Sequence, residues 1–354
     1  MKADNKGNVI RLLRTMMPLV AVVCLVVFPP WMLIWAWLAP LPDTVQDQVE
    51  DAVGYGMDGI IVYVDRKGER PVSYAAGYKN RDEKEPADAD GLFKIASISK
   101  LYMAVAAVKL VNEGELSLDE TLAKLLPDLA GRIANAEEIT LRMLISHRSG
   151  IPNYSDHPDY PWTSPYKEVD ETYDLVLDMP ADFAPDERYS YSNTNYLLLG
   201  EIMDRRLGYS HHEYIRSRIL EPLGLNDTYS LLGDVNADEV MSGYFVGYGP
   251  DIKGNDFIQP GGSMVSTARD VGVFLRALND GTLLSAVEQE IYTSVYVYEH
   301  TGLLPGYQSI ATYDKNMDAV VVQFVNTSGG DMWALSEVVH ERILKILRRG
   351  GDNE

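Results

Sequence analysis

The sequence predicts an α+β (mixed) protein. One antiparallel sheet, built from both ends of the chain, is flanked by helices and carries a second, mainly helical lobe. Three observations predict this. Residues 57–64 and 71–78 are dense in β-branched and aromatic side chains and are joined by the polar turn 65–70, the pattern of an antiparallel hairpin. Strand composition returns near the other end, at 307–313 and 319–326, with a further candidate at His300. Between the two strand groups, apolar residues recur at helical spacing.

Taken in order, residues 1–14 form a basic segment with Lys2, Lys6, Arg11 and Arg14. Residues 15–41 carry no charge and form a run longer than the ~20 residues needed to cross a bilayer. Trp31, Trp35 and Trp37 sit toward one end of it, as interfacial anchors do. Pro29 and Pro30 would kink such a helix without excluding a span. Basic residues before the run and Asp43, Asp47, Glu50 and Asp51 after it predict a cytoplasmic N-terminus and an extracytoplasmic remainder, periplasmic or extracellular. The expectation is therefore one N-terminal transmembrane helix with the lipid bilayer as partner. A cleaved signal peptide is the rival, opposed by the length of the run and by the lack of a small-x-small site at its end.

Residues 42–56 are a juxtamembrane linker with helical character. The main domain is expected over 57–347, with its sheet from 57–78 and 300–326 and its helical lobe over about 115–280. A helix follows Ser97 to Asn112 or Glu113, with Gly114 as its stop. Further helices are expected from Thr140, after Asn195, over 211–220 and from Ala268 to Asn279. The segment 153–187 is a long loop rich in proline, aspartate and aromatics. A closing helix covers 332–347, and 348–354 is a polar, frayed tail.

Composition narrows the function. The 46% hydrophobic content excludes general disorder. A net charge of −21 disfavours nucleic acid as a partner. With Cys24 as the single cysteine, no intrachain disulfide or cysteine metal cluster can form. His211 and His212 are adjacent and unsuited to sharing a metal, so neither metal nor cofactor is expected. The sequence gives no oligomeric state.

Chemistry concentrates at Ser97-x-x-Lys100. One helical turn separates the two side chains, so both can face the same way. A serine hydroxyl needs an adjacent base, and a desolvated lysine can lose its proton and become one. The motif by itself is weak, since Ser97 could be a plain helix cap. Tyr191 and Asn193, two residues apart, add a phenol and an amide. His300-Thr301-Gly302 adds a donor, a hydroxyl and close backbone access at a strand edge. His147 reads as a residue supporting its local turn.

In this order, Ser97-x-x-Lys100, Tyr191-x-Asn193 and His300-Thr301-Gly302 resemble the three motifs of the serine β-lactamase-like and penicillin-binding protein family. The resemblance is to the class C β-lactamase and DD-peptidase branch, with its related esterases, and covers about 55–345. The stretches Leu116-Ser117-Leu118-Asp119-Glu120, His147-Arg148-Ser149-Gly150-Ile151-Pro152 and Gly261-Gly262-Ser263-Met264 share it. It implies a β-lactamase/transpeptidase-like fold. It also implies Ser97 as the acylated nucleophile, Lys100 as its activating amine and Tyr191 as base or relay. Asn193, His300, Thr301 and Gly302 would bind substrate, and the backbone N–H groups of Ser97 and Leu303 would form the oxyanion hole. His300 stands where most β-lactamases of the family carry lysine. The implied activity is a D-alanyl-D-alanine carboxypeptidase-like peptidase on a small-molecule or peptide substrate. An esterase or weak β-lactamase, and a non-catalytic penicillin-recognising or partner-binding protein, are the alternatives.

Overall fold

The structure, a computed structural model, describes residues 13–351 apart from 15, 19, 25, 26 and 28. Lys2, Lys6 and Arg11 of the basic segment and the last three residues lie outside the described residues. The chain divides into two units, Met1–Pro40 and Leu41–Glu354. In the first, helix α1 spans Trp31–Leu38. Pro29 and Pro30 break the uncharged run just before it. Eight residues rise about 12 Å, well short of the ~30 Å of a bilayer core. Among the described residues no helix is long and apolar enough to cross a membrane; the span expected over 15–41 includes residues 15, 19, 25, 26 and 28, which lie outside them.

The second unit is mixed α and β. Its first helix, α2 (Val45–Gly54), starts at Thr44, whose side chain accepts from the Asp47 N–H and so satisfies one of the orphan donors of a helix start. The main sheet contains β1 (Gly59–Arg66), β2 (Val72–Asn80), β3 (Glu85–Pro86), β4 (His300–Leu304), β5 (Tyr307–Asp314) and β6 (Ala319–Val325). Its order is β3-β2-β1-β6-β5-β4 and its pairings are antiparallel. β1 and β6 are central and buried along most of their length, which is why both are mainly apolar. β4, carrying the third motif, is an edge strand.

Three longer helices lie between the strand groups: α3 (Ser99–Asn112), α4 (Asn193–Leu207) and α5 (Ala268–Asp280). α3 is buried on nearly every face, as expected of a helix apolar all round. α5 packs on β1, β5 and β6. There Gly272 lies against the Tyr63 ring, where a Cβ would come within 2.2 Å. The helical lobe predicted to reach 280 therefore ends earlier, because the apolar face of α5 meets the sheet. α6 (Ala286–Thr293) was not expected from the sequence, although Ser285 and Glu288 form a capping box at its start. α7 spans Met332–Gly351, so the segment from 348 continues the helix that the sequence ended at 347.

Candidate active site

Ser97 sits in a 3₁₀ turn, Ala96–Ile98, that leads into α3. Ala96 holds φ +50, a left-handed conformation uncommon for a residue with a Cβ. The turn is held in place by its neighbours. Ser309 Oγ donates to Ile95 O at 2.9 Å, and Ile95 N–H donates to Met264 O at 3.0 Å. Ser99 Oγ donates to Ala96 O at 2.6 Å and accepts from Met264 N–H at 3.3 Å. Gly302 on β4 lies directly against it, for a Cβ there would stand 2.3 Å from Ser309 Oγ and 2.4 Å from Ile95 O. No side chain fits at 302 while β4 stays this close to Ser97.

The structure brings the first two motifs together. Lys100 Nζ lies 3.0 Å from Ser97 Oγ, 2.8 Å from Asn193 Oδ1 and 2.8 Å from Gly261 O. Tyr191 O–H donates to Ser97 Oγ at 2.7 Å. Lys100 is buried and makes no ion pair among the described residues, and burial pushes its amine down to about 7. A neutral amine has two N–H donors and one lone pair. The donors suit Asn193 Oδ1 and Gly261 O, leaving the lone pair for the Ser97 proton. Burial moves the Tyr191 phenol the other way, above its usual value, against the lowering effect of its Ser97 hydrogen bond. Lys100 is thus the group able to accept a proton near neutrality, and Tyr191 is a donor.

Sequence reasoning missed the residues that hold Asn193. Its side-chain N–H donates to Ser155 Oγ at 2.9 Å, and its backbone N–H donates to Asn153 Oδ1 at 2.9 Å. Both come from the long loop, where nothing in residue spacing marks them. His147 is buried at φ +55 beneath the Tyr191 segment. Its Nδ1 accepts from Ser192 N–H at 3.3 Å, and its ring centroid lies 4.5 Å from that of Tyr191.

The third motif stands on the cavity wall. His300 Nδ1 is 2.5 Å from Thr301 O, and its Nε2 is 3.0 Å from the Tyr296 hydroxyl. A carbonyl only accepts, so Nδ1 carries the proton and Nε2 takes the Tyr296 O–H. Half-exposed by area yet closely ringed by protein atoms, the imidazole is pushed down to about 4, first by burial and then by Lys100. Both ring nitrogens are occupied in a neutral histidine. Thr301 is exposed beside it. Leu303 pairs with Gln308, one step from the Leu304–Tyr307 pair that closes the hairpin. Antiparallel pairs alternate between bonded and open, so the Leu303 N–H points off the free edge of β4. The Ser97 N–H lies in the first turn before α3, where N–H groups lack intrahelical acceptors.

Ser97, Tyr191, Asn193, His300, Thr301 and Leu303 line one cavity of about 670 Å³. Asp156 and Glu299 also line it, and no lysine or arginine does among the described residues.

A serine bonded to a buried amine and a phenol, beside an edge strand, defines the site of a serine-hydrolase fold. The chain matches the Beta-lactamase family over residues 43–296, and it belongs to that family. The match ends just before the third motif. Penicillin-binding protein 4 of Amycolatopsis lactamdurans is 30% identical over 220 residues, covering 58% of this chain and 56% of that protein. Esterase EstB of Burkholderia gladioli is 28% identical over 188 residues, covering 48% and 46% respectively. The chain spans about half the length of these curated relatives. Among solved structures, the D-amino acid amidase of Ochrobactrum anthropi SV3 complexed with D-phenylalanine superposes with a TM-score of 0.74. It is 26% identical, with 86% of this chain and 98% of that chain covered.

Proposed function

We propose that the protein is a serine hydrolase that forms an acyl-enzyme on Ser97, acting on small amides or esters whose leaving group bears no carboxylate. The observation that carries this is the pair of contacts on Ser97 Oγ, from Lys100 Nζ at 3.0 Å and Tyr191 O–H at 2.7 Å. Ser97 Oγ attacks the substrate carbonyl carbon and its proton passes to neutral Lys100. The developing oxyanion is held by the N–H groups of Ser97 and Leu303. On collapse the bond to nitrogen or oxygen breaks, and Tyr191 gives its proton to the leaving group. Lys100 then returns a proton to the Tyr191 oxygen. Water hydrolyses the ester by the same route, losing its proton to the amine.

The substrate class follows from the wall of the cavity. Neutral His300, with both nitrogens engaged, presents no cation, and Asp156 and Glu299 repel an anionic group. This favours the amidase and esterase readings, in keeping with the names of two relatives, over a D-alanyl-D-alanine carboxypeptidase, whose leaving group is a free amino acid. A purely non-catalytic protein has no physical need for a buried lysine held near neutral. The charge asymmetry around 15–41 favours a catalytic domain outside the cytoplasm.

The test is labelling of the full chain with a fluorophosphonate probe, alongside hydrolysis of p-nitrophenyl acetate and D-phenylalanine amide. Wild type should label and turn over at least one of the two, and Ser97→Ala should do neither. A wild type that is inert in both assays overturns the enzyme reading, and labelling that survives in Ser97→Ala overturns the nucleophile.

A further inference from the structure

One buried residue brackets Tyr191 from both sides. His147 follows the short helix Leu141–Ile145 and holds φ +55. A residue with a Cβ keeps that left-handed conformation only where its surroundings impose it. From this position both its carbonyl and its ring reach the segment 190–192. The carbonyl accepts from Ser190 N–H at 2.9 Å, and Nδ1 accepts from Ser192 N–H at 3.3 Å. The imidazole also lies against the phenol ring, the centroids being 4.5 Å apart.

The tautomer of His147 is set by its other neighbours. Ser149 O–H donates to Asn195 Oδ1 at 2.6 Å, which turns the Asn195 amide nitrogen toward His147 Nδ1, 3.2 Å away. Two N–H donors therefore converge on Nδ1, and an accepting ring nitrogen carries no proton. The proton sits on Nε2, which is buried without a hydrogen-bond partner among the described residues. A buried, unpaired N–H is unfavourable. A leucine or phenylalanine would fill the same space without that penalty, but neither offers an acceptor to Ser192. The imidazole is thus explained by its acceptor and not by its volume.

The phenol it steadies must be placed closely. Tyr191 O–H lies 2.7 Å from Ser97 Oγ, toward the His300 end of β4, where the two ring centroids are 6.2 Å apart. A misplacement of 1 Å in such a group can cost about 10²-fold in rate. We infer that His147 is a positioning residue: its Nδ1 fixes the 190–192 backbone so that the Tyr191 hydroxyl reaches the leaving group. The inference rests on the acyl-enzyme reading above. His147 itself does not line the cavity of Ser97 and exchanges no proton in the reaction.

The test compares the p-nitrophenyl and ethyl esters of one acyl group, acetyl or D-phenylalanyl, whichever wild type hydrolyses. p-Nitrophenoxide departs as an anion, whereas ethoxide needs a proton, so the ratio of the two kcat/KM values reports proton delivery by Tyr191. His147→Leu should lower kcat/KM on the ethyl ester by about 10²-fold, with a far smaller loss on the p-nitrophenyl ester. His147→Asn places Oδ1 where histidine has Nδ1 and tolerates a left-handed φ, so it should recover most of that loss. In a Tyr191→Phe background, His147→Leu should cost nothing further on the ethyl ester, as for residues that act as one unit. Circular dichroism melting confirms that each variant is folded. If His147→Leu does not fold, His147→Gly, which is free of strain at this φ, takes its place. Equal losses on both esters, a loss that multiplies with that of Tyr191→Phe, or no recovery in His147→Asn overturns the positioning role and leaves His147 a packing residue of its turn. A wild type that hydrolyses none of the four esters overturns the acyl-enzyme reading, and the role with it.

Discussion

The two ends of edge strand β4 differ in how their side chains are committed. At the His300 end both imidazole nitrogens already have a protein partner: Nδ1 on Thr301 O, Nε2 on the Tyr296 hydroxyl. At the Leu303 end the side chains that face the cavity are apolar and exposed. Between them lies a floor of Ser97, Lys100 and Tyr191 that both ends share. The difference teaches that reaction and selection are separable here. In the proposed reading the floor transfers the acyl group, and the locked end disfavours charge on the leaving group.

The largest effect expected comes from the proton donor that serves the leaving group. Tyr191→Phe removes the hydroxyl that lies 2.7 Å from Ser97 Oγ. General acid catalysis typically contributes about 10²–10⁴-fold, and the loss depends on how badly the leaving group needs a proton. Amide turnover should fall by about that factor, while p-nitrophenyl esters, whose leaving group departs as an anion, should lose far less. Equal losses on both substrates would mean that Tyr191 works before bond cleavage, and the two ends of the strand could no longer be told apart by its position.

A smaller effect, common to both ends, comes from pH. Burial holds the Lys100 amine at about 7, so the neutral fraction falls about tenfold per unit below that. The kcat/KM profile should rise with a midpoint near 7, alike for all acyl groups. Acid unfolding must be kept distinct from this limb. His147 is held at about 3, and His300 and His340 at about 4, mainly by burial, whereas their unfolded values lie near 6.5. The unfolded chain binds more protons in that window, so the histidine contribution to stability is complete above pH 6.5 and is lost as pH falls toward 4. Melting temperatures across pH 4–8 separate the two. A limb that follows the melting curve would remove Lys100 as the base.

Much of this was legible before the structure, and the reason is local. Ser97 and Lys100 sit one helical turn apart, and Tyr191 and Asn193 flank the start of another helix, so each pair is a short-range pattern. The strands were legible because β1 and β6 are buried along most of their length and are mainly apolar. What the sequence did not disclose is long-range. Tyr296 precedes His300 by four residues, with no periodicity to show that its hydroxyl returns to the ring. Ser155 and Asn153 reach Asn193 from a loop without repeating pattern. Amphipathicity showed that α5 has an apolar face, not that the face meets the sheet. The Ser285–Glu288 capping box was readable, and α6 could have been found from it.

The smallest effect expected is also the sharpest test of the locked end. His300→Lys replaces a neutral ring, held by Tyr296 and Thr301 O, with an ammonium that has no such partners to satisfy its charge. Two consequences follow from the same charge. A substrate whose leaving group carries a carboxylate should gain affinity, lowering KM about tenfold, in the range of a partly buried charge-assisted contact. A second cation near Lys100 disfavours its protonated form, so the rising limb of the pH profile should move to lower pH. Uncharged amides should show the shifted limb without the gain in KM. If the carboxylate substrate gains nothing while the limb still moves, the new charge reaches Lys100 but not the leaving group. Selection against anions would then reside in Glu299 and Asp156, and substituting those two residues with glutamine and asparagine would show it.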